Sequence, residues 1–261
     1  MCRHLAYLGP VVPLADLLLT PSHSLLRQSW QPRDMRGGGT VNADGFGIGW
    51  YPPEDIAVSC PEAHLGEPVR YRRNIPIWAD ESLPGIAEVT RSGAVLAAIR
   101  NGTTGMALTE TACAPFTERR WLFSHNGIVT GWPASVGKLA ERLPVTDLLT
   151  LDAPTDSALV WALVLDRLRS GEEPAEAVAA VVADVDAAAP ESRLNLLLTD
   201  GEQVVATAWS HALSVRRTAD SVAVSSEPWH PDDDSWQPVP DRHLVLATRE
   251  TLEVHPMEGP L

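Results

Sequence analysis

The chain has 261 residues, enough to bury a sizeable core in one large domain or two small ones. Hydrophobic residues make up 44% of it and charged residues 21%, a soluble globular composition and not a disordered or fibrous one. Its 34 Asp and Glu outnumber its 20 Lys and Arg, a net charge of −14 that repels phosphate backbones and argues against DNA or RNA as a partner.

Membrane insertion is not expected either. The apolar run from Leu5 to Leu19 is interrupted by Gly9, Pro10, Pro13 and Asp16; it is too short to span a bilayer and lacks the order of an export signal. Cytoplasmic residence is the resulting expectation. The three cysteines, Cys2, Cys60 and Cys113, cannot all pair internally and show no Cys-x-x-Cys or Cys/His spacing. Neither a disulfide framework nor a structural metal site is expected.

In chain order, Arg3 to Leu8 reads as a strand broken by Gly9-Pro10, and Leu14 to Leu19 as a short helix after Pro13. Asn42 to Gly45 reads as a turn. Phe46 to Trp50 reads as a strand whose glycines let another backbone or a ligand come close. Cys60 to Ile77 is loop with short edge strands. Ala94 to Arg100 is an apolar strand opening into the polar loop Asn101 to Gly105. Trp121 to Ser124 is a second such strand, closed by His125-Asn126-Gly127, where Asn-Gly signals a turn.

Helical spacing puts Ala158, Trp161, Val164, Leu165 and Leu168 on one face of a helix from Thr155 to Arg169. Val178, Val181, Val182 and Val185 do the same from Pro174 to Ala188. Strands return at Leu194 to Thr199, Val204 to Trp209, Leu213 to Arg217, Val222 to Ser225, Leu244 to Ala247 and Thr251 to Val254. The acidic, proline-rich segment Pro228 to Pro240 reads as a solvated loop. Strands, then two helices, then strands predict a layered α+β fold.

Cys2 heads the candidates for chemistry. Loss of Met1 would give one residue both a thiol and a free α-amine, with reference pKa values of about 8.5 and about 7.7–8.0. Nucleophile and base would then sit together. The plain alternative is a cysteine at the start of a buried first strand. Arg100 ends a strand where a guanidinium can clamp a small carboxylate in bidentate fashion, or can form a structural ion pair. Thr103 and Thr104 beside it supply a hydroxyl or shape the turn. Asn126 and the N–H of Gly127 can aim at one developing oxyanion, or mark a hairpin. His125 is a base or a structural histidine. Asp156, in a helix's first turn, favours that terminus or receives a substrate ammonium.

Together these features resemble the class II glutamine amidotransferases, N-terminal-nucleophile hydrolases whose domain begins with a catalytic cysteine. The start Met1-Cys2-Arg3-His4-Leu5-Ala6-Tyr7-Leu8-Gly9 and the run Asn42 to Tyr51 look most like its stand-alone branch, which includes the γ-glutamyl hydrolase of ergothioneine biosynthesis.

The resemblance implies a four-layer αββα fold over a single domain, residues 2–261, with Met1 removed. It also implies Cys2 as nucleophile, Asn126 and Gly127 as the oxyanion hole, Arg100 with Thr103 on a glutamyl α-carboxylate and Asp156 on its α-amine. The family's Arg-x-Ala-Thr wording departs here to Asn101-Gly102-Thr103 after Arg100. The implied partner is a small γ-glutamyl substrate, with γ-glutamyl-hercynylcysteine sulfoxide the expected one. A glutaminase subunit feeding ammonia to a separate synthase is the alternative. No cofactor is expected, and a homo-oligomer stays open.

Overall fold

The computed structural model describes residues 2–34, 36, 41–53, 66–103 and 105–257. Thirteen strands among the described residues form two antiparallel sheets. The first sheet contains β1 (Arg3–Pro13), β2 (Phe46–Trp50), β3 (Val69–Arg73), β4 (Arg91–Ile99), β9 (Ser214–Arg217), β10 (Val222–Ser225) and β11 (Trp236–Pro238), in the order β11-β9-β10-β1-β4-β2-β3. The second contains β5 (Phe116–Glu118), β6 (Trp121–Ile128), β7 (Arg193–Thr199), β8 (Gln203–Ala208), β12 (His243–Thr248) and β13 (Leu252–Pro256), in the order β13-β12-β8-β7-β6-β5.

Three apolar layers hold these sheets in a four-layer αββα sandwich. Alternate residues of a strand face opposite sides, so Ala6 and Leu8 of β1 pack between the sheets with Leu122, Leu197 and Val224. Leu5 and Tyr7 pack outward with the short helices α1 (Leu14–Leu18), α2 (Leu25–Gln28) and α3 (Leu83–Val89). On the far side, helices α6 (Asp156–Arg169) and α7 (Pro174–Ala188) cover the second sheet, after two one-turn helices, α4 (Gly137–Ala140) and α5 (Val145–Leu149). The predicted faces are the buried ones: Val178, Val181, Val182 and Val185 are all within 1% of full burial, and Trp161 stacks on Phe123 at 5.2 Å. Thr155 caps α6 by accepting from the N–H of Ala158 at 3.3 Å.

Three local expectations are corrected. Gly9-Pro10 does not end β1, which runs on to Pro13 through a register shift between Leu8 and Val12; an irregularity of this kind accommodates a residue with no N–H to give. His125-Asn126-Gly127 is not a turn but the continuation of β6, paired with Leu196, Asn195 and Leu194 of β7. Pro228 to Pro240 is not all solvated loop, because Trp229 and Trp236 are buried edge-to-face at 5.0 Å and β11 pairs with β9. Helices α2 to α5, four to seven residues long, are too short to sustain a helical period and have no counterpart in the sequence reading. The expectation for strand Phe46 to Trp50 holds: a Cβ on Gly47 would fall 2.2 Å from the Ala114 carbonyl oxygen. Cys60 and Thr104 lie outside the described residues. No helix among the described residues is long and apolar enough to cross a membrane.

Candidate active site

The predicted residues gather at one end of the sandwich, where β1 begins and β4 and β6 end. Cys2, Arg100, His125 and Ser157 line one small cavity with Phe46 and Phe116. Cys2 is half-buried, with its Sγ 3.8 Å from the carbonyl oxygen of Asn101. The other described cysteine, Cys113, is fully buried, and burial pushes its thiol up to about 11. Of the two, only Cys2 has access to a ligand.

The end of β4 is held by the turn before β2. Arg100 N donates to Gly45 O at 2.7 Å, Asp44 N donates to Arg100 O at 3.1 Å, and Asp44 Oδ2 accepts from Gly102 N at 2.8 Å. The Arg100 guanidinium is thereby fixed with Nη2 donating to Ala107 O at 2.8 Å, while its buried Nη1 has no partner among the described residues. A buried cationic donor without an acceptor is costly, and a substrate carboxylate would satisfy it. Thr103 stands slightly apart: it lines a larger neighbouring cavity of about 590 Å³ with Met106, Val129 and Trp132.

Asn126 points between the sheets. Its Nδ2 donates to Ser226 Oγ at 3.0 Å, and the same hydroxyl accepts from His4 N at 3.0 Å. One serine oxygen therefore ties Asn126 to the strand that begins beside Cys2. Gly127 follows where a Cβ would lie 1.8 Å from the Arg193 carbonyl oxygen, so the close pairing of β6 and β7 requires glycine there. Asp156 is buried in the first turn of α6. Its Oδ2 accepts from Val129 N at 3.0 Å and its Oδ1 from Ser157 N at 2.7 Å. Oδ1 also has Ser157 Oγ at 3.4 Å, whereas Oδ2 retains a further lone pair for an ammonium.

The histidines near the site are structural. His125 Nε2 donates to Arg193 O at 2.9 Å, leaving Nδ1 to accept from Ser157 Oγ at 3.1 Å, so both ring nitrogens are engaged. His4 is fully buried with Nδ1 2.8 Å from Ser124 Oγ; burial first, then His211, His125 and Arg3, drive its pKa far below the ordinary value. Burial, followed by Arg3 and Arg193, takes His211 down to about 3.

The sequence reads Ser225-Ser226-Glu227-Pro228 as a strand end that could line a pocket; it does not show that Glu227 is a second charged group buried at the same end. Glu227 is buried and receives Arg3 Nε at 3.0 Å, His23 Nε2 at 2.6 Å and the N–H groups of Arg33 and Asp34 at 2.9 and 3.2 Å. Burial pushes its carboxyl up, but His23, Arg3 and the two N–H groups outweigh that and hold it below the usual range. Nothing local in that stretch ties Glu227 to Arg3.

Comparison with known proteins agrees with this arrangement. Residues 21–225 match the family model of class II glutamine amidotransferases. The chain is 38% identical over 257 residues to a γ-glutamyl-hercynylcysteine sulfoxide hydrolase of Mycolicibacterium smegmatis, covering 98% of this chain and 100% of that one. It is 37% identical over 250 residues to the protein of that name from Mycobacterium tuberculosis, covering 96% and 94% of the two chains. Among solved structures, a glutamine aminotransferase class-II domain protein from Silicibacter pomeroyi shares the fold, with a TM-score of 0.67 at 24% identity over 98% of this chain and 100% of that one. With the cysteine at residue 2, the paired sheets and these full-length likenesses, the chain belongs to the class II glutamine amidotransferases.

Proposed function

We propose that the mature chain, residues 2–261 as one domain, hydrolyses a γ-glutamyl amide through a thioester on Cys2. The substrate we assign is γ-glutamyl-hercynylcysteine sulfoxide, on the strength of the named activity of the full-length relatives. Arg100 and Asp156 grip the α-carboxylate and α-amine of the glutamyl group, with Thr103 contributing from the neighbouring cavity. The γ-carbonyl then faces the thiol. The α-amine of Cys2 takes the thiol proton, and sulfur attacks the carbonyl carbon. The resulting oxyanion is held by a side-chain N–H of Asn126 and the N–H of Gly127. The Cys2 ammonium protonates the leaving amine as the C–N bond breaks. Water, giving a proton to the same amine, then cleaves the thioester, releasing glutamate and restoring the thiol.

The observation that carries this reading is an Arg100 guanidinium with a buried N–H unsatisfied among the described residues, lining one cavity with a non-core thiol at residue 2. The two described cysteines are unpaired, which suits the reducing cytoplasm we assign as its compartment.

Intact mass and glutamate release from glutamine, glutathione and the sulfoxide conjugate test the proposal together. The expected results are a mass lacking Met1, turnover of the conjugate above the other two, and no turnover by Cys2→Ala. Glutamate release by Cys2→Ala at the wild-type rate would remove the nucleophile from the scheme. A wild-type preference for free glutamine, raised by an added synthase, would favour an ammonia-supplying subunit instead.

A further inference from the structure

The buried pair Arg3–Glu227 touches none of the atoms in the proposed bond-making steps. We propose that Arg3, locked by Glu227, is a positioning residue: it fixes the peptide plane from which the Cys2 thiol and α-amine both hang. The inference rests on Cys2 being the nucleophile and adds a second set of residues on which its rate depends.

Consider what holds residue 2 once Met1 is gone. A single peptide bond, to Arg3, joins it to the fold, and no preceding residue restrains it. The ladder between β1 and β10 ends at Leu5 opposite Ser225, with one further backbone bond from Ser226 N to His4 O at 2.9 Å. On its other side β1 stays in register with β4 as far as Arg3 opposite Ile99; beyond Arg3 the side chains take over. Arg3 Nη1 donates to the carbonyl oxygen of Cys2 at 3.0 Å. The same guanidinium is gripped by Glu227 Oε1, from Nε at 3.0 Å and Nη2 at 2.9 Å, and Nη2 also donates to the Asp34 carbonyl. Glu227 is braced in turn by His23 and by the N–H groups of Arg33 and Asp34. Gln28 Nε2 bridges the carbonyls of Glu227 and His23 at 3.3 and 2.9 Å.

Two features separate this cluster from a ligand site and from a mere brace. Every nitrogen of the Arg3 guanidinium donates to the protein, whereas Arg100 Nη1 is unpartnered among the described residues; buried Arg3 has no nitrogen left unengaged for a carboxylate. A buried ion pair is also a poor source of net stability, since apolar replacements of similar volume are often neutral or better. What apolar side chains cannot replace is the donor on the Cys2 carbonyl. Displacing a nucleophile by an ångström costs on the order of 100-fold in rate.

Two variants test this. Arg3→Met/Glu227→Leu removes both charges at once and leaves neither buried alone. Arg3→Lys keeps the ion pair but loses the fork that reaches both Glu227 and the Cys2 carbonyl. For each, intact mass establishes that Met1 is gone, thermal melting that the fold is kept, and steady-state kinetics on the γ-glutamyl substrate separates kcat from KM. The expected result is a kcat lowered roughly 10- to 100-fold with KM near wild type, because Arg100 and Asp156 are untouched; Arg3→Lys should fall between wild type and the double variant. Wild-type kcat in the folded, processed double variant overturns the inference, as does a loss confined to KM. If the double variant does not fold, wild-type kcat in Arg3→Lys overturns it alone. Full activity in Cys2→Ala, by contrast, would defeat the proposed function itself.

Discussion

Asn126 contributes to the site through a single amide. One of its hydrogens is committed to Ser226 Oγ, and the proposed mechanism uses the other on the oxyanion. Truncation at this position removes a preorganised donor without touching the groups proposed to hold the glutamyl head. Asn126→Ala is therefore expected to lower kcat by about 100- to 1,000-fold while KM moves little, as steady-state glutamate release would read directly. A comparable rise in KM with kcat preserved would assign Asn126 to binding instead. Arg100 makes the complementary case, since its Nη1, unpartnered among the described residues, is the donor that the proposed mechanism gives to the ground-state carboxylate. Arg3 and Arg100 thus illustrate two uses of one side chain, decided by whether every nitrogen of the guanidinium is engaged inside the protein.

Strand β6 is the element on which the site is built. It delivers Ser124 and Asn126 to the space between the sheets, with Ser124 against His4 and Asn126 against Ser226. It sends His125 to the opposite face, against Ser157 of α6. This alternation follows from the two-residue period of an extended strand, and a turn at the same residues would have scattered them. Gly127 is the condition for it. Gly127→Ala would place a methyl 1.8 Å from the Arg193 carbonyl oxygen and force β6 from β7, an overpacking cost of about 1–3 kcal/mol. A melting temperature lower by roughly 2–12 °C is expected, together with loss of turnover. An unchanged melting temperature would mean that the two strands separate freely at that point.

Across the whole molecule, a layer of buried polar groups closes one end of the sandwich, and it makes stability depend on pH. His4 and His211 stay neutral in the folded chain at pH values where the unfolded chain, with histidines near 6.5, has taken up protons. Between those limits the unfolded state binds more protons, so stability falls as pH drops from about 6.5 toward the folded value of His211, about 3. Glu227 adds to the fall at lower pH: its folded pKa is depressed, so its contribution is present above the unfolded value and lost as pH passes down through the folded one. Thermal melts from pH 8 to pH 4 should show a declining midpoint, and His211→Gln should flatten the slope below pH 6.5. An identical slope in that variant would take His211 out of the account.

Much of this could be read from the chain unaided. Helices α6 and α7 announce themselves because a 3.6-residue apolar period is a local property. Cys2, Arg100, Asn126 and Asp156 are recognisable because their donor atoms and their order along the chain survive without coordinates. Folding settled everything that depends on a distant partner. Gly9-Pro10 lies within a strand and Asn126-Gly127 extends another because β4 and β7 lie alongside to receive them. Trp236 is buried because Trp229 and β9 meet it. Arg3 finds Glu227 across 224 positions of sequence, and no window along the chain contains both. Periodicity and residue chemistry belong to a segment, whereas pairing, burial and the neutralisation of charge belong to the pair of segments that meet.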